Sequence, residues 1–174
     1  MGQRSRGKFK VSKIILSNEA LIVFMKAVVC AILSSVFPNH RSVFKAGYTS
    51  ALAAKLGDTF SSEIGKAIGK RTLLITSLKP VPRGTEGAVS LEGSISGVVA
   101  IFALTKIALV LKFIESKAAT ACVTASIIAN ILESFIGATW QGDNIWLTND
   151  TVNVLNTATA AILTMLLSAH ELLG

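Results

Sequence analysis

Of the 174 residues, 51% are apolar and only 16% charged, and the mean hydropathy is +0.61, far from an average soluble domain. The net charge is +7, but the basic residues are spread between apolar segments instead of forming a patch. That pattern excludes nucleic acid as a partner and matches loops on the cytosol-like side of a membrane.

Residues 1–18 form a basic juxtamembrane arm carrying Arg4, Arg6, Lys8, Lys10 and Lys13. No apolar stretch with a small-residue cleavage site follows, so the arm does not read as a secretory signal. From residue 19 to 174 the chain reads as one all-α domain, a polytopic membrane helix bundle with about five transmembrane segments. They are expected at 19–37, 44–64, 94–111, 118–140 and 151–173, each near the ~20 residues that cross a ~30 Å hydrocarbon core. Abundant Ala, Ser and Gly, with 6% aromatics, suit closely packed helices. Lys26 and Lys106 interrupt two segments and would snorkel or face the interior. Pro38-Asn39 closes the first segment as a turn. Cys30 and Cys122 lie in apolar stretches without metal-ligand spacing, and His40 and His170 are isolated, so no disulfide framework or His/Cys centre is expected.

Two polar loops, 66–93 and 141–150, separate these segments. With the basic arm inside, the Lys/Arg balance returns both loops to the same face, and puts Arg41, Lys45, Lys112 and Lys117 on the opposite one. A single inward-facing site can be built from the two loops.

The second segment carries the run Lys55-Leu-Gly-Asp-Thr-Phe-Ser-Ser-Glu-Ile-Gly-Lys66. Ionisable groups inside a bilayer cost roughly 2.5–3.5 kcal/mol each on insertion scales, so they normally line an interior cavity. Lys55, Asp58, Ser62 and Lys66 share one helical stripe, and Thr59 and Glu63 form an adjoining row. Carboxylates flanked by ammonium groups and hydroxyls suit Mg²⁺ bound to phosphate oxygens, with an internal ion-pair network as the structural alternative.

Polar character continues in Lys79-Pro-Val-Pro-Arg-Gly-Thr-Glu-Gly87 and Ser90-Leu-Glu-Gly93. Prolines stiffen the approach, glycines let backbone N–H groups turn toward an anion, and Lys79 and Arg83 supply charge; an ordinary surface turn is the alternative. Glu86 and Glu92 beside such a loop imply an intervening metal. The nearby Gly65-Lys-Ala-Ile-Gly-Lys-Arg-Thr72 is not a P-loop: three residues, not four, separate its glycines, and Arg71 follows Lys70.

In the last two segments, Ser126, Asn130, Glu133 and Gly137 share a face, and Asn149, Asn153 and Asn156 repeat at helical spacing, with Asp150 capping the helix start. Amides can simply join helices. Glu133 in an Ala/Ile-rich helix needs a cation, a metal or water.

These segments, together with Ala129-Asn-Ile-Leu-Glu-Ser-Phe-Ile-Gly137 and Leu147-Thr-Asn-Asp-Thr-Val-Asn-Val-Leu-Asn156, closely resemble the plant phytyl-phosphate kinases of vitamin E synthesis. Those belong to a wider group of integral membrane proteins. The resemblance covers residues 40–173. It implies a chloroplast-membrane enzyme that makes phytyl diphosphate from phytyl phosphate, with a nucleoside triphosphate, CTP foremost, as donor. The products feed tocopherol and phylloquinone synthesis. It also implies further hydrophobic segments and a plastid-targeting region ahead of the matched part, so the chain looks shortened at its amino terminus.

The residue roles follow from chemistry. Asp58, Glu63, Glu86 and Glu92 are the expected catalytic carboxylates, and Mg²⁺ is expected on Asp58, Glu63, Glu86, Glu133 and Asp150. Lys66, Lys79, Arg83, Thr85, Asn130, Asn149 and Asn153 are the expected substrate contacts. The partners are then a prenyl phosphate, a nucleotide and the lipid bilayer. An ion or anion transporter with charges near the membrane midplane is a competing reading, and an inactive membrane scaffold is another.

Overall fold

The computed structural model describes Met25, residues 28–140 and residues 148–173. The basic arm, most of the first half of segment 19–37, and residues 141–147 of the second polar loop lie outside the described residues. Helical residues 28–36 end at Phe37. Pro38, with its fixed φ, opens a 3-10 turn (Pro38–His40) into helix α1 (Arg41–Ile68), so the expected turn at Pro38-Asn39 is present.

Helix α1 is followed by strands β1 (Thr72–Leu74) and β2 (Ala88–Ser90), then by helices α2 (Leu91–Val110), α3 (Ser116–Thr139) and α4 (Asn149–Leu173). The chain is a membrane helix bundle, as expected, with one addition. Thr72, Leu73 and Leu74 pair antiparallel with Ser90, Val89 and Ala88, which turns loop 66–93 into a short hairpin across one end of the bundle. Three paired residues per strand are too few to leave a periodic signal in the sequence.

Among the described residues, α2, α3 and the Asn149–Ala169 part of α4 are long and apolar enough to cross a membrane. Helix α1, expected as a fourth such span, is not in that group, because its second half carries the charged run. Its 28 residues extend about 42 Å, longer than the hydrocarbon core. Packing explains how it is accommodated. Helix α1 contacts α2, α3 and α4, and its buried residues include Ala46, Gly47, Ser50, Ala53, Ala54 and Gly57. The most polar helix is therefore shielded by the apolar ones. Those present Val99, Phe102, Ile128, Leu132, Ile162 and Leu166 outward, more than 40% exposed, where lipid would cover them.

Small residues let the backbones approach. Gly57, Ser61 and Gly65 on α1 meet Gly93 and Gly97 on α2 so closely that a Cβ on Gly97 would lie 2.8 Å from the Gly57 carbonyl oxygen. On the α3 side, Ala54, Ala129 and Ala160 form a fully buried contact of α1, α3 and α4. Hydrogen bonds add to it: the Ser126 hydroxyl donates to the Ser50 carbonyl (3.1 Å), and the Ser50 hydroxyl to the Ala160 carbonyl (3.1 Å). The hairpin, the end of α3 and the start of α4 line one cavity and so share one end of the bundle. Arg41, Lys112 and Lys117 lie at the other, in agreement with the grouping read from the charges.

Candidate active site

A cavity of about 660 Å³ opens beneath the hairpin, between the second half of α1, the start of α2, the end of α3 and the start of α4. Its polar wall includes Asp58, Ser62 and Lys66 from α1, Glu133 and Ser134 from α3, and Arg83, Thr85 and Glu86 from the hairpin loop. Val98, Ile101, Ile127 and Ile131 make an apolar wall between the helices. A polar mouth with an apolar interior is the form expected of a site for an amphiphile.

Local chemistry shapes the rim. Ser90 in extended conformation caps α2, its hydroxyl accepting from the Gly93 N–H at 3.2 Å. The hairpin loop turns through Gly84 (φ +84) and Gly87 (φ +69), a backbone region that favours glycine. Gly87 also lies directly on α3, where a Cβ would meet the Ala138 backbone nitrogen at 2.3 Å. The Arg83 guanidinium donates to the Ala67 carbonyl at 3.2 Å, tying the loop to the end of α1, and the Thr85 hydroxyl donates to the Pro82 carbonyl at 2.8 Å.

A polar network joins α1, α3 and α4 at the cavity wall. Lys55 Nζ donates to Asn153 Oδ1 at 2.8 Å and lies 3.5 Å from Asp58 Oδ2. The Ser62 hydroxyl donates to Asp58 Oδ1 at 3.3 Å. Asn156 Nδ2 donates to Glu133 Oε2, and the Glu133 carboxylate has Asp58 and Lys55 as charged neighbours. Asn130 Oδ1 accepts from Asn156 Nδ2 at 3.0 Å; with the amide turned over, its nitrogen would instead donate to the Ala54 carbonyl and its oxygen accept from the Asp58 N–H. Two carboxylates thus sit side by side with one lysine between helices. That arrangement has room for further positive charge.

Eight of the residues expected from the sequence line this one cavity: Asp58, Lys66, Arg83, Thr85, Glu86, Asn130, Asn149 and Glu133. Five do not. Glu63 points away and pairs with Lys66 at 3.3 Å, its side chain 69% exposed. Glu92 lies in the first turn of α2, where its charge complements the helix dipole. Lys79 is exposed on the hairpin. Asn153 sits behind the wall and reaches the cavity through Lys55 and Asp58. Asp150 is in the first turn of α4 but does not cap it; the Thr148 hydroxyl accepts from the Thr151 N–H at 3.3 Å and performs that role. Among the described residues no three Asp, Glu, His or Cys side chains form a metal-binding group. Of the five carboxylates expected to hold Mg²⁺, Asp58 and Glu133 are neighbours at the cavity wall and Glu86 is also in its lining.

Lys55 and Asn156 join the site without having been assigned to it. Lys55 lies one helical turn before Asp58, and Asn156 continues the asparagine spacing of α4. Both signals were present in the sequence, but a role in joining helices explained them equally well.

Comparison with known proteins gives the same picture. The protein VTE6, chloroplastic, of Arabidopsis thaliana is 46% identical over 144 residues, 80% of this chain and 43% of that protein. An uncharacterized membrane protein of Synechocystis is 45% identical over 134 residues, 76% of this chain and 52% of its own. One from Methanocaldococcus jannaschii is 33% identical over 121 residues, 70% and 50% respectively. The chain thus spans about half the length of the curated relatives it matches. No solved structure matches it. The plant resemblance carried by the motifs is borne out, and the chloroplast is the printed setting of that plant relative. Residues 6–161 match the family described as integral membrane protein DUF92, and this chain belongs to that family.

Proposed function

We propose that the chain is the membrane-embedded portion of a phosphotransferase that converts phytyl or a related prenyl monophosphate to the diphosphate. The donor is a nucleoside triphosphate, CTP foremost, and the product serves tocopherol and phylloquinone synthesis. The observation that carries this reading is the cavity itself, where Asp58, Glu133, Lys66 and Arg83 face an apolar wall of Val98, Ile101, Ile127 and Ile131. Likeness to a plant chloroplastic protein supports the setting.

The acceptor is a phosphate monoester, already nucleophilic near neutral pH. One of its oxygens attacks the γ-phosphorus of the donor, the bond to the β–γ bridging oxygen breaks, and nucleoside diphosphate leaves. Such a transfer depends on positioning and charge neutralisation more than on a strong general base. Lys66 and Arg83 neutralise phosphate oxygens, and Thr85 and Asn149 offer hydrogen bonds at the mouth. The prenyl chain lies along the apolar wall, out of water.

Mg²⁺ fits the donor set. It is commonly held by one or two carboxylates plus substrate phosphates, and Asp58 and Glu133 supply two adjacent carboxylates at the wall. Bound there, it would offset charge on the transferring phosphoryl group.

The test is transfer of radiolabelled γ-phosphate from CTP to a panel of prenyl phosphates by the protein in proteoliposomes. Mg²⁺-dependent formation of the diphosphate is expected. Movement of a solute across the vesicle wall without nucleotide consumption would replace the kinase with a transporter.

A further inference from the structure

The end of the bundle opposite the active-site cavity holds a second cavity, of about 370 Å³. Its lining includes Arg41 and Lys45 from α1, Lys112 from the α2–α3 connection, Lys117 from the first turn of α3, and Ser168 from α4. Glu115 is the one acid in the lining, so cations outnumber it four to one. Among the described residues Arg41, Lys112 and Lys117 have no ion-pair partner.

Backbone electrostatics have the same sign. Two helices begin here, α1 at Arg41 and α3 at Ser116, and neither has a side-chain hydrogen bond at its N-cap. Their first N–H groups and dipoles favour an anion. Lys112 adopts φ +55 as the chain leaves α2, and the Phe113 N–H bonds to the Ala108 carbonyl at 2.9 Å. The Phe113 ring is held by Tyr48 (centroids 6.3 Å apart, edge-on) and carries Lys45 Nζ 5.1 Å from its centroid.

A second observation, independent of these charges, points to a ligand. Ser168 is 7% exposed, and among the described residues its buried hydroxyl has no hydrogen-bond partner. A helical serine normally satisfies its hydroxyl on the preceding turn, as Ser35 and Ser134 do here on Ala31 and Asn130. An unsatisfied buried hydroxyl costs about 1–3 kcal/mol, and this one borders the cationic cavity.

We propose that this cavity binds the phosphate of an anionic membrane glycerolipid, with Lys112, Lys117 and Arg41 around the headgroup and Ser168 donating to a phosphate oxygen. A lipid, not a free anion, is favoured by the surroundings. The membrane-spanning helices α2 and α3 meet at this rim, where Val110 and Leu111 are 68% and 72% exposed and continue the bilayer-facing surface. The volume also exceeds the ~30 Å³ share of a water several times over, enough for a headgroup. The site is separate from the proposed kinase reaction and stands whether or not that reaction is found.

Native mass spectrometry of the purified full chain, titrated with phosphatidylglycerol or phosphatidylcholine, tests it. One phosphatidylglycerol is expected to bind at least tenfold more tightly than phosphatidylcholine. The double variant Lys112→Gln/Lys117→Gln should lose about 25-fold in phosphatidylglycerol affinity, since each interfacial cation contributes a factor of about five. Ser168→Ala should lose a smaller factor, and Arg83→Ala at the other end should lose none. Both lysines are exposed, so helix content by circular dichroism should stay at the parent value. Equal affinity for the two lipids, or unchanged affinity in the double variant, would overturn the proposal. Displacement of the lipid by equimolar inorganic phosphate would overturn the lipid assignment in favour of a free-anion site.

Discussion

The two halves of α1 are buried by the same neighbours yet built on opposite rules. Residues 41–54 present Ala46, Gly47, Thr49, Ser50, Ala51 and Ala54 to the bundle, and the two buried hydroxyls have partners: Thr49 on the Lys45 carbonyl, Ser50 on Ala160 and Ser126. Residues 55–68 carry Lys55, Asp58, Glu63 and Lys66, and the contacts to Asp58 are long, 3.5 Å from Lys55 and 3.3 Å from Ser62. The usual range is about 2.7–3.2 Å. The buried hydroxyls of the first half are satisfied by protein alone. The second half sets Asp58 beside Glu133 at a cavity wall, where the proposed ligand would complete the site. Substitutions in the first half should therefore change stability, and substitutions in the second should change turnover.

The largest effect is expected at Asp58. Asp58→Asn keeps the size and removes the charge from the carboxylate pair, so Mg²⁺-dependent transfer should fall roughly 10²–10³-fold, comparable to loss of one preorganised electrostatic contact in other sites. Thermal unfolding in detergent should move little. Near-normal turnover would remove the residue from the reaction.

In the first half the same comparison is sharpened by Ala54→Leu. Ala54, Ala129 and Ala160 are all fully buried where three helices meet. The added branch must push a helix aside, at a cost of about 1–3 kcal/mol. A lower unfolding temperature with unchanged transfer per folded molecule is expected. The reverse, intact stability with lost turnover, would place chemistry in the wrong half.

Much of this division is legible in the sequence, because helical spacing alone puts Asp58, Ser62 and Lys66 on one stripe and Asn130 and Glu133 on one face. Loop charges also place Arg41, Lys45, Lys112 and Lys117 together at the end opposite loop 66–93. What could not be read was depth and partner choice. Glu63 and Asp58 are both acids of the same run, and a stripe read at 100° per residue does not say which neighbour a row will face. Glu133 and Asp58 become a pair only through the crossing of α1 and α3, a long-range contact with no local signature. The hairpin was hidden for a related reason: Thr72–Leu74 finds its partner at Ala88–Ser90, across a loop whose prolines and glycines read as irregular.

Within the second half a smaller effect is expected at Arg83. Its guanidinium already donates to the Ala67 carbonyl at 3.2 Å, with its remaining donors available to phosphate oxygens at the mouth. Lysine keeps the charge but not the planar fork. Arg83→Lys should lower turnover about tenfold, as one lost charge-assisted hydrogen bond is worth roughly 1.5–3 kcal/mol. Equal rates for the parent, Arg83→Lys and Arg83→Ala would make the loop an ordinary basic connection.

The smallest effect is the most discriminating, because it separates two acids five residues apart on α1. Glu63 lies outside the cavity lining and pairs with Lys66 at 3.3 Å, with side chains 69% and 54% exposed. Ion pairs this open contribute about 0–1 kcal/mol and are screened by salt. Glu63→Gln should therefore leave prenyl-phosphate phosphorylation within about twofold of the parent, since a 0.4 kcal/mol change corresponds to a factor of about two. Its Mg²⁺ requirement should also stay unchanged, because Asp58 and Glu133 remain. A loss as deep as that of Asp58→Asn, with a raised Mg²⁺ requirement, would show that α1 turns its other face to the substrate and that the carboxylate pair has been drawn from the wrong residues.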